Sequence, residues 1–203
     1  MIRNRRAFIV GLKGIKVTNE ENYFLKKYKP WGIILFSRNI KNISQVKKLV
    51  RDIKNIFKDK NYPIMIDQEG GKVSRLNKIL LSSTFTGKYF ESKLKSNKYH
   101  FEKHLDIYIN QISFLLKNIG ININNSPVLD IRRKCSDIII GDRSYSKNKF
   151  IVSKIGKLFI KKFHENNIAT VMKHIPGHGL AKVDSHKKTP IVRDKLKYLL
   201  KND

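Results

Sequence analysis

Short segments that are typical of β-strands alternate along the chain with longer amphipathic segments. Most of the short segments are continuous apolar runs, as in residues 168–172, and they are too short for a buried helix. Residues 121–125 instead alternate strictly between apolar and polar side chains, which is the pattern of a half-buried strand. The predicted strands are residues 7–12, 31–36, 63–66, 121–125 and 168–172.

The amphipathic segments carry apolar residues at helical spacing and have capping signals at their ends. Thr18, followed by Glu21, predicts one capped helix start, and Ser44 predicts another. Gly120 stands where the C-terminal cap of a helix belongs. Residues 76–97 are polar, and we predict a loop there. The predicted helices are residues 18–28, 45–58, 99–118 and 149–166, with a last helix beginning at residue 195.

Strands that alternate with helices predict a parallel α/β fold in which polar loops follow the strands. Five strands fit either a doubly wound sheet or part of a (β/α)8 barrel, and a whole barrel needs about 250 residues. The chain has 203 residues and shows no internal repeat and no low-complexity linker. We therefore expect one domain over residues 1–203.

The charge of the chain is strongly positive, with 43 basic and 16 acidic residues and a formal net charge of +27. Such a charge attracts nucleic acid or an anionic surface. The basic residues are spread along the chain without a block of like charges, so no nucleic-acid partner is predicted. No apolar run reaches the length of a membrane span and no signal peptide is evident, which predicts a cytoplasmic protein without a membrane partner. The single cysteine, Cys135, excludes an internal disulfide and fits a reducing compartment.

The densest polar cluster follows the last predicted strand. Residues 173–179 hold one ammonium group and two imidazoles, and their proline and glycines let the backbone turn sharply. Asp184 and His186 follow, two positions apart. A carboxylate beside an imidazole orients the ring and favours its protonated form. The pair therefore predicts proton donation and acceptance by His186 near neutral pH, whereas an isolated histidine would more often be an ordinary surface or core residue.

A second polar cluster follows the third predicted strand. Asp67 and Glu69 come directly after the strand, and two glycines follow that permit a tight turn close to a ligand. Arg75 stands after this turn, eight residues beyond Asp67. A single aspartate at a strand end is usually a helix cap or a turn residue. Two acids, two glycines and an arginine together favour a binding site instead. Residues 140–145 add an acid, a base and a hydroxyl beside another glycine.

These clusters resemble segments of glycoside hydrolase family 3, in particular its bacterial β-N-acetylhexosaminidases of cell-wall recycling. The similar segments follow the order of the family over nearly the whole chain. They are residues 35–39, 66–75, 126–130, 140–145, 173–179 and 184–186.

The resemblance implies a TIM-type barrel, of which this chain would hold about the first five β/α units, with the site at the C-terminal ends of the strands. It implies that the terminal N-acetylglucosamine of a saccharide or muropeptide is bound by a set of charged residues. That set is Asp67, Arg75, Arg143, Lys173 and His174. His186 matches the acid/base of the family, with Asp184 as its partner. No cofactor and no metal are implied, although His174, His178 and His186 could form a three-histidine metal site instead.

Retaining glycosidases also need a carboxylate nucleophile that forms a glycosyl-enzyme. In the family this aspartate lies near the end of a later barrel strand, and no residue here matches its motif. The resemblance therefore implies a C-terminal fragment as a complementing partner. The alternative is a remnant without turnover, or a sugar-binding module, that retains the recognition residues.

Overall fold

The computed structural model describes residues 4–133, 137–183 and 187–202. Strands and helices alternate through most of this part of the chain. In chain order the strands are β1 (Arg6–Gly11), β2 (Pro30–Leu35), β3 (Ile64–Ile66), β4 (Gln68–Gly70), β5 (Val73–Ser74), β6 (Ile123–Asn124) and β7 (Ala169–Thr170). The α-helices are α1 (Asn19–Tyr28), α2 (Ile43–Phe57), α3 (Gly87–Ser96), α4 (Lys98–Ile119), α5 (Asp137–Ile140), α6 (Lys149–Glu165) and α7 (Leu196–Asn202).

Five of the strands form one sheet in the order β1-β2-β3-β6-β7, and each neighbouring pair is parallel. Each strand therefore lies beside the strand that precedes it in this sheet, with a helix in every crossover. A doubly wound sheet reverses its strand order at a switch point, and this sheet does not. The strand order is that of a barrel wall, and it decides between the two architectures that the sequence left open.

The core lies between this sheet and the layer formed by α1, α2, α4 and α6, which contact one another in chain order. Strand residues Ile33 and Ile64 are completely buried, and helix residues pack on them at the predicted spacing. Aromatic rings close one end of the core, where Phe90 meets Phe159 edge to face with 5.1 Å between the ring centroids. Further fully buried members are Leu35, Ile66, Val46, Ile53, Leu105, Ile109, Ile112, Leu116, Ile155 and Phe163.

Two of the predicted caps are present. The Thr18 hydroxyl accepts from the Glu21 amide at 3.1 Å, and the Glu21 carboxylate accepts from the Thr18 amide at 2.9 Å, which completes a capping box. Gly120 closes α4 with a φ of 88°, a left-handed conformation that glycine adopts without a steric penalty.

Two predictions about the helices were wrong. Helix α2 is capped by Asn42, whose side-chain oxygen accepts from the Gln45 amide at 2.9 Å, and not by Ser44. Residues 76–97 are not all loop, because they contain α3. The Thr86 side chain caps this helix, and its apolar face is short: Phe90 is fully buried, and Tyr89 and Leu94 pack on the core beside it.

Strand β7 is shorter and more exposed than predicted. It pairs with β6 through Ala169 and Thr170, and it forms an edge of the sheet. Ala169 is exposed, Thr170 is half-buried, and Val171 and Met172 are 39% and 47% exposed, so the expectation of a buried strand over 168–172 was wrong for every residue but Ile168. Among the residues that the structure describes, no helix is long and apolar enough to cross a membrane. Cys135 lies outside the described residues.

Candidate active site

The polar turn after β3 is held in place by the amide side chain of Gln68. Its Nε2 donates to the Ser74 and Ser82 hydroxyls at 2.9 Å and 3.0 Å, and its Oε1 accepts from the Arg75 and Leu76 amides. Gln68 is completely buried, so these bonds fix the β4–β5 hairpin. Because side chains alternate along an extended segment, the residues on either side of Gln68 point to the same face.

Those flanking residues are Asp67 and Glu69, and one ammonium group contacts both of them. Lys173 Nζ lies 3.0 Å from Asp67 Oδ1 and 2.5 Å from Glu69 Oε1. Arg75 Nη2 lies 3.5 Å from the other oxygen of Asp67. The Asp67 side chain is 17% exposed and that of Glu69 only 6%. Asp67 therefore retains access to a ligand, whereas Glu69 is buried beneath the cations.

The buried carboxylate of Glu69 also binds a guanidinium group. Arg143 donates from Nε and Nη2 to the two oxygens of Glu69 at 2.8 Å and 2.9 Å, which is the bidentate geometry of a strong ion pair. Its Nη1 donates to the Ile139 carbonyl at 3.0 Å. Burial alone would lower the pKa of Arg143, but the bond to Glu69 and the charge of Glu69 outweigh it and raise that pKa above its ordinary value.

A third acid, Asp130, binds the residue after Lys173. The Asp130 carboxylate is fully buried, with Oδ2 at 2.6 Å from His174 Nδ1 and Oδ1 accepting from the His178 amide at 2.6 Å. The Ser144 hydroxyl donates to the Asp130 carbonyl at 2.6 Å. A bridge between Val128 and Lys173 joins the two chain segments, so the imidazole and the ammonium group are positioned together.

The protonation of Asp67 follows from these contacts. Burial works to raise the pKa of its carboxyl group, but the charge of Lys173, hydrogen bonds from Lys173 and Asn125, and the charge of Arg75 lower it below the ordinary value. The site at neutral pH therefore offers an anionic acceptor surrounded by cationic donors. Such a set suits a ligand with several hydroxyl groups, since each hydroxyl both donates and accepts.

The structure brings all of the sequence-predicted binding residues together at the C-terminal ends of β3, β6 and β7. The contacts join Asp67, Arg75, Arg143, Lys173 and His174. The predicted acid/base pair, Asp184 and His186, lies outside the described residues, and its role stays a prediction. Within the described residues no group of three or more potential metal ligands is close enough to hold an ion.

Sequence reasoning noticed Glu69 and Asp130 but gave neither a role. For Glu69 a signal existed, because a residue two positions from Asp67 in an extended segment shares its face. For Asp130 the signal was weaker. It follows a strand end within residues 126–130, as the other site residues follow theirs, yet its partner His174 is 44 positions away.

The start of α3 packs directly behind this site at Gly87. A Cβ atom at Gly87 would lie 2.2 Å from the Arg143 carbonyl oxygen, so Gly87→Ala must push that backbone away. We expect a loss of about 1–3 kcal/mol in the free energy of unfolding, measured by chemical denaturation. Gly14→Ala is the matched control, because nothing lies within 4 Å of a Cβ at Gly14. Equal stability of the two variants would contradict this packing.

Parallel strands in sequential order, with ion-paired and partly exposed residues at their C-terminal ends, are typical of the β/α-barrel class of proteins, whose sites lie on the C-terminal face. Comparison with known proteins gives the family. Residues 6–203 match the glycosyl hydrolase family 3 N terminal domain, and the chain belongs to this family.

Similar proteins agree with this assignment. Beta-hexosaminidase A of Pseudoalteromonas piscicida is 32% identical over 188 residues, covering 87% of this chain and 30% of the relative. Beta-hexosaminidase of Haemophilus influenzae is 31% identical over 184 residues, covering 91% of this chain and 51% of the relative. NagZ of Neisseria gonorrhoeae, in a crystal structure with N-trifluoroacetyl-D-glucosamine, superposes with a TM-score of 0.84 at 28% identity, over 97% of this chain and 57% of that chain.

The match to NagZ confirms the predicted fold class, an α/β fold related to the TIM barrel. The chain spans about half the length of NagZ and of the Haemophilus relative. Strands β1, β2, β3, β6 and β7 are neighbouring parallel strands in the order of a barrel wall.

Proposed function

We propose that this chain supplies the sugar-recognition half of a cytoplasmic glycosidase that hydrolyses terminal β-linked N-acetylglucosamine from peptidoglycan fragments. One observation carries the proposal: the charged residues assigned to the sugar converge on one face, each already held by a partner. The family match and the sugar analogue bound by NagZ of Neisseria gonorrhoeae support it.

In this proposal Asp67 accepts hydrogen bonds from two hydroxyls of the terminal sugar, because its carboxylate is ionised and partly exposed. Arg75, Arg143 and Lys173 donate to hydroxyl oxygens, and His174 contacts the sugar beside Arg143. Their existing ion pairs hold these side chains before a ligand arrives, which reduces the entropy lost on binding.

The chemical step in this proposal belongs to His186, oriented by Asp184. His186 protonates the glycosidic oxygen as the bond breaks and later removes a proton from the attacking water. The nucleophile is a carboxylate from a complementing C-terminal fragment, which attacks the anomeric carbon and is released by that water. The edges of the sheet, β1 and β7, support such a partner, since Ile9 and Met172 near them are 45% and 47% exposed.

Sugar binding by the chain tests the recognition half of the proposal. Calorimetry with N-acetylglucosamine should detect binding to the chain, and Asp67→Ala should weaken it at least about tenfold, since one charged hydrogen bond contributes about 1.5–3 kcal/mol. Asp52→Ala is the control, because Asp52 lies on α2 and pairs with Lys48 away from the site. Absence of binding at millimolar sugar, or equal affinities of the two variants, would contradict the proposal.

Turnover tests the catalytic half. Release of the chromophore from a chromogenic β-N-acetylglucosaminide is measured for the chain alone and after addition of the C-terminal part of a related β-hexosaminidase. The proposal expects release with the added fragment, and loss of that release in His186→Ala. Binding of the sugar without any release in either mixture would instead support the alternative, a sugar-binding module or a remnant without turnover.

A further inference from the structure

His174 lies between the Asp130 carboxylate and the Arg143 guanidinium group at the edge of the site. These two neighbours determine which nitrogen of the His174 ring carries a proton. We infer that Asp130 is a positioning residue that keeps a proton on Nδ1 of His174, while the Arg143 guanidinium group opposes a second proton on Nε2, so that Nε2 faces the site as a hydrogen-bond acceptor. The part of this inference that concerns the sugar rests on the proposed function. The part that concerns the tautomer does not.

The contacts of Asp130 fix the proton on Nδ1. Its side chain has no exposed surface, and both carboxylate oxygens accept: Oδ1 from the His178 amide at 2.6 Å and Oδ2 from His174 Nδ1 at 2.6 Å. An ionised carboxylate has no proton to donate, so the ring nitrogen must be the donor. The Ser144 hydroxyl donates to the Asp130 main-chain carbonyl at 2.6 Å, which fixes the backbone from which the carboxylate projects.

The contacts of Arg143 keep the opposite nitrogen free of a proton. Arg143 Nη2 lies 3.5 Å from His174 Nε2, and a guanidinium group only donates. A proton on Nε2 would place two donors and two positive charges against each other at this distance. Arg143 cannot easily withdraw, because three hydrogen bonds hold it, two to the Glu69 carboxylate and one to the Ile139 carbonyl. The His174 side chain is 37% exposed, so a ligand can reach part of the ring beside Arg143.

A neutral acceptor next to a cationic donor is suited to one kind of ligand group. A sugar hydroxyl can accept from Arg143 and donate to His174 at the same time, whereas a methoxy group at that position has no proton to donate. Sites that require such a donor reject analogues lacking it more strongly than apolar pockets do, because a buried polar atom then remains unpaired. His174, positioned by Asp130, is therefore a specificity determinant for a free hydroxyl.

Long-range ¹H–¹⁵N NMR of histidine-labelled chain at neutral pH tests the tautomer directly, with His174→Gln identifying the ring signals. We expect a protonated Nδ1 and an unprotonated Nε2 in the unmutated chain. A ring protonated on Nε2, or on both nitrogens, would overturn the inference. This measurement needs neither sugar nor turnover, so a chain that shows this tautomer but binds no N-acetylglucosamine would refute the proposed function and leave the positioning role intact.

Asp130→Asn tests the positioning role in the same spectra. An asparagine keeps the shape of the side chain and presents an amide donor to Nδ1, which should move the proton to Nε2, as happens when the aspartate of a catalytic triad becomes asparagine. We expect the inverted tautomer and sugar binding weaker by about 10- to 100-fold, corresponding to an unpaired polar group at about 1–3 kcal/mol.

Asp106→Asn is the matched control, since Asp106 pairs with Lys162 on the helix layer and should change neither the tautomer nor the affinity. A folded Asp130→Asn chain with the original tautomer would overturn the role of Asp130. If that variant does not fold, the spectrum of the unmutated chain still decides the inference.

Discussion

Replacing Glu69 by alanine is expected to lower the free energy of unfolding by about 3–5 kcal/mol, the usual loss when one partner of a buried ion pair is removed. The Glu69 side chain is 6% exposed and contacts two cations, Arg143 in bidentate geometry and Lys173 at 2.5 Å. Without Glu69, Arg143 loses the carboxylate to which it is paired, and Lys173 retains only its ion pair with Asp67. Chemical denaturation at neutral pH measures the change.

Glu20→Ala is the control for this prediction. Glu20 is 85% exposed and lies 3.6 Å from Lys13, and such surface pairs contribute at most about 1 kcal/mol. Glu69→Gln should fall between the two variants, because the amide oxygen can still accept one hydrogen bond while its charge is gone. A Glu69→Ala chain that loses less than about 1 kcal/mol, no more than the surface control, would show that the pair contributes little beyond its own desolvation.

Glu91 is expected to make the fold sensitive to acid, with a loss of about 3 kcal/mol as the pH falls from about 5 to about 2. Burial works to raise the pKa of this carboxyl group, but hydrogen bonds from Lys95, Ser146 and Arg132 lower it to about 2. In the unfolded chain the group titrates near its ordinary value of 4.5. The contribution of Glu91 to the free energy of unfolding is therefore complete above its pKa in the unfolded chain. This contribution is lost as the pH falls through its pKa in the folded chain.

The contribution of Glu91 is obtained as a difference, since other acids such as Asp67 also have lowered pKa values. Unfolding of the unmutated chain and of Glu91→Gln is compared at neutral pH and at several acid values. The stability difference between them should shrink towards acid pH by about 3 kcal/mol. Glu102→Gln is the control, because that side chain is 48% exposed, and a constant difference for Glu91→Gln would contradict the prediction.

That the proposed binding residues lie together could be predicted from the sequence, because several of them belong to short local patterns that follow strands. Asp67 and Arg75 bracket a glycine turn directly after an apolar run, and Lys173 directly follows another run. Parallel strands place their C-terminal ends at one edge of the sheet, so local patterns suffice to bring these residues to the same face. The capping box of α1 was predictable for the same reason, since all of its atoms lie within four residues.

The pairing of the charges could not be predicted in this way. Arg143 reaches Glu69 across 74 positions and Lys173 reaches Asp67 across 106, and these contacts depend on the order and register of the strands. Helix α3 was missed because its apolar face is short, with Phe90 fully buried and Tyr89 and Leu94 partly buried in a segment that is otherwise mostly polar. Such a helix is stabilised by its Thr86 cap and its tertiary contacts rather than by its pattern.

The short edge strand β7 has a further consequence for hydrogen exchange. Its ladder consists of two residue pairs with β6, yet the Lys173 ammonium group just beyond it reaches over β6 to the carboxylates that follow β3. Fraying of this edge must therefore break buried ion pairs as well as amide bonds. Amide protons of β7 should exchange more slowly than a two-residue edge would suggest, and a saccharide that engages Lys173 should slow them further.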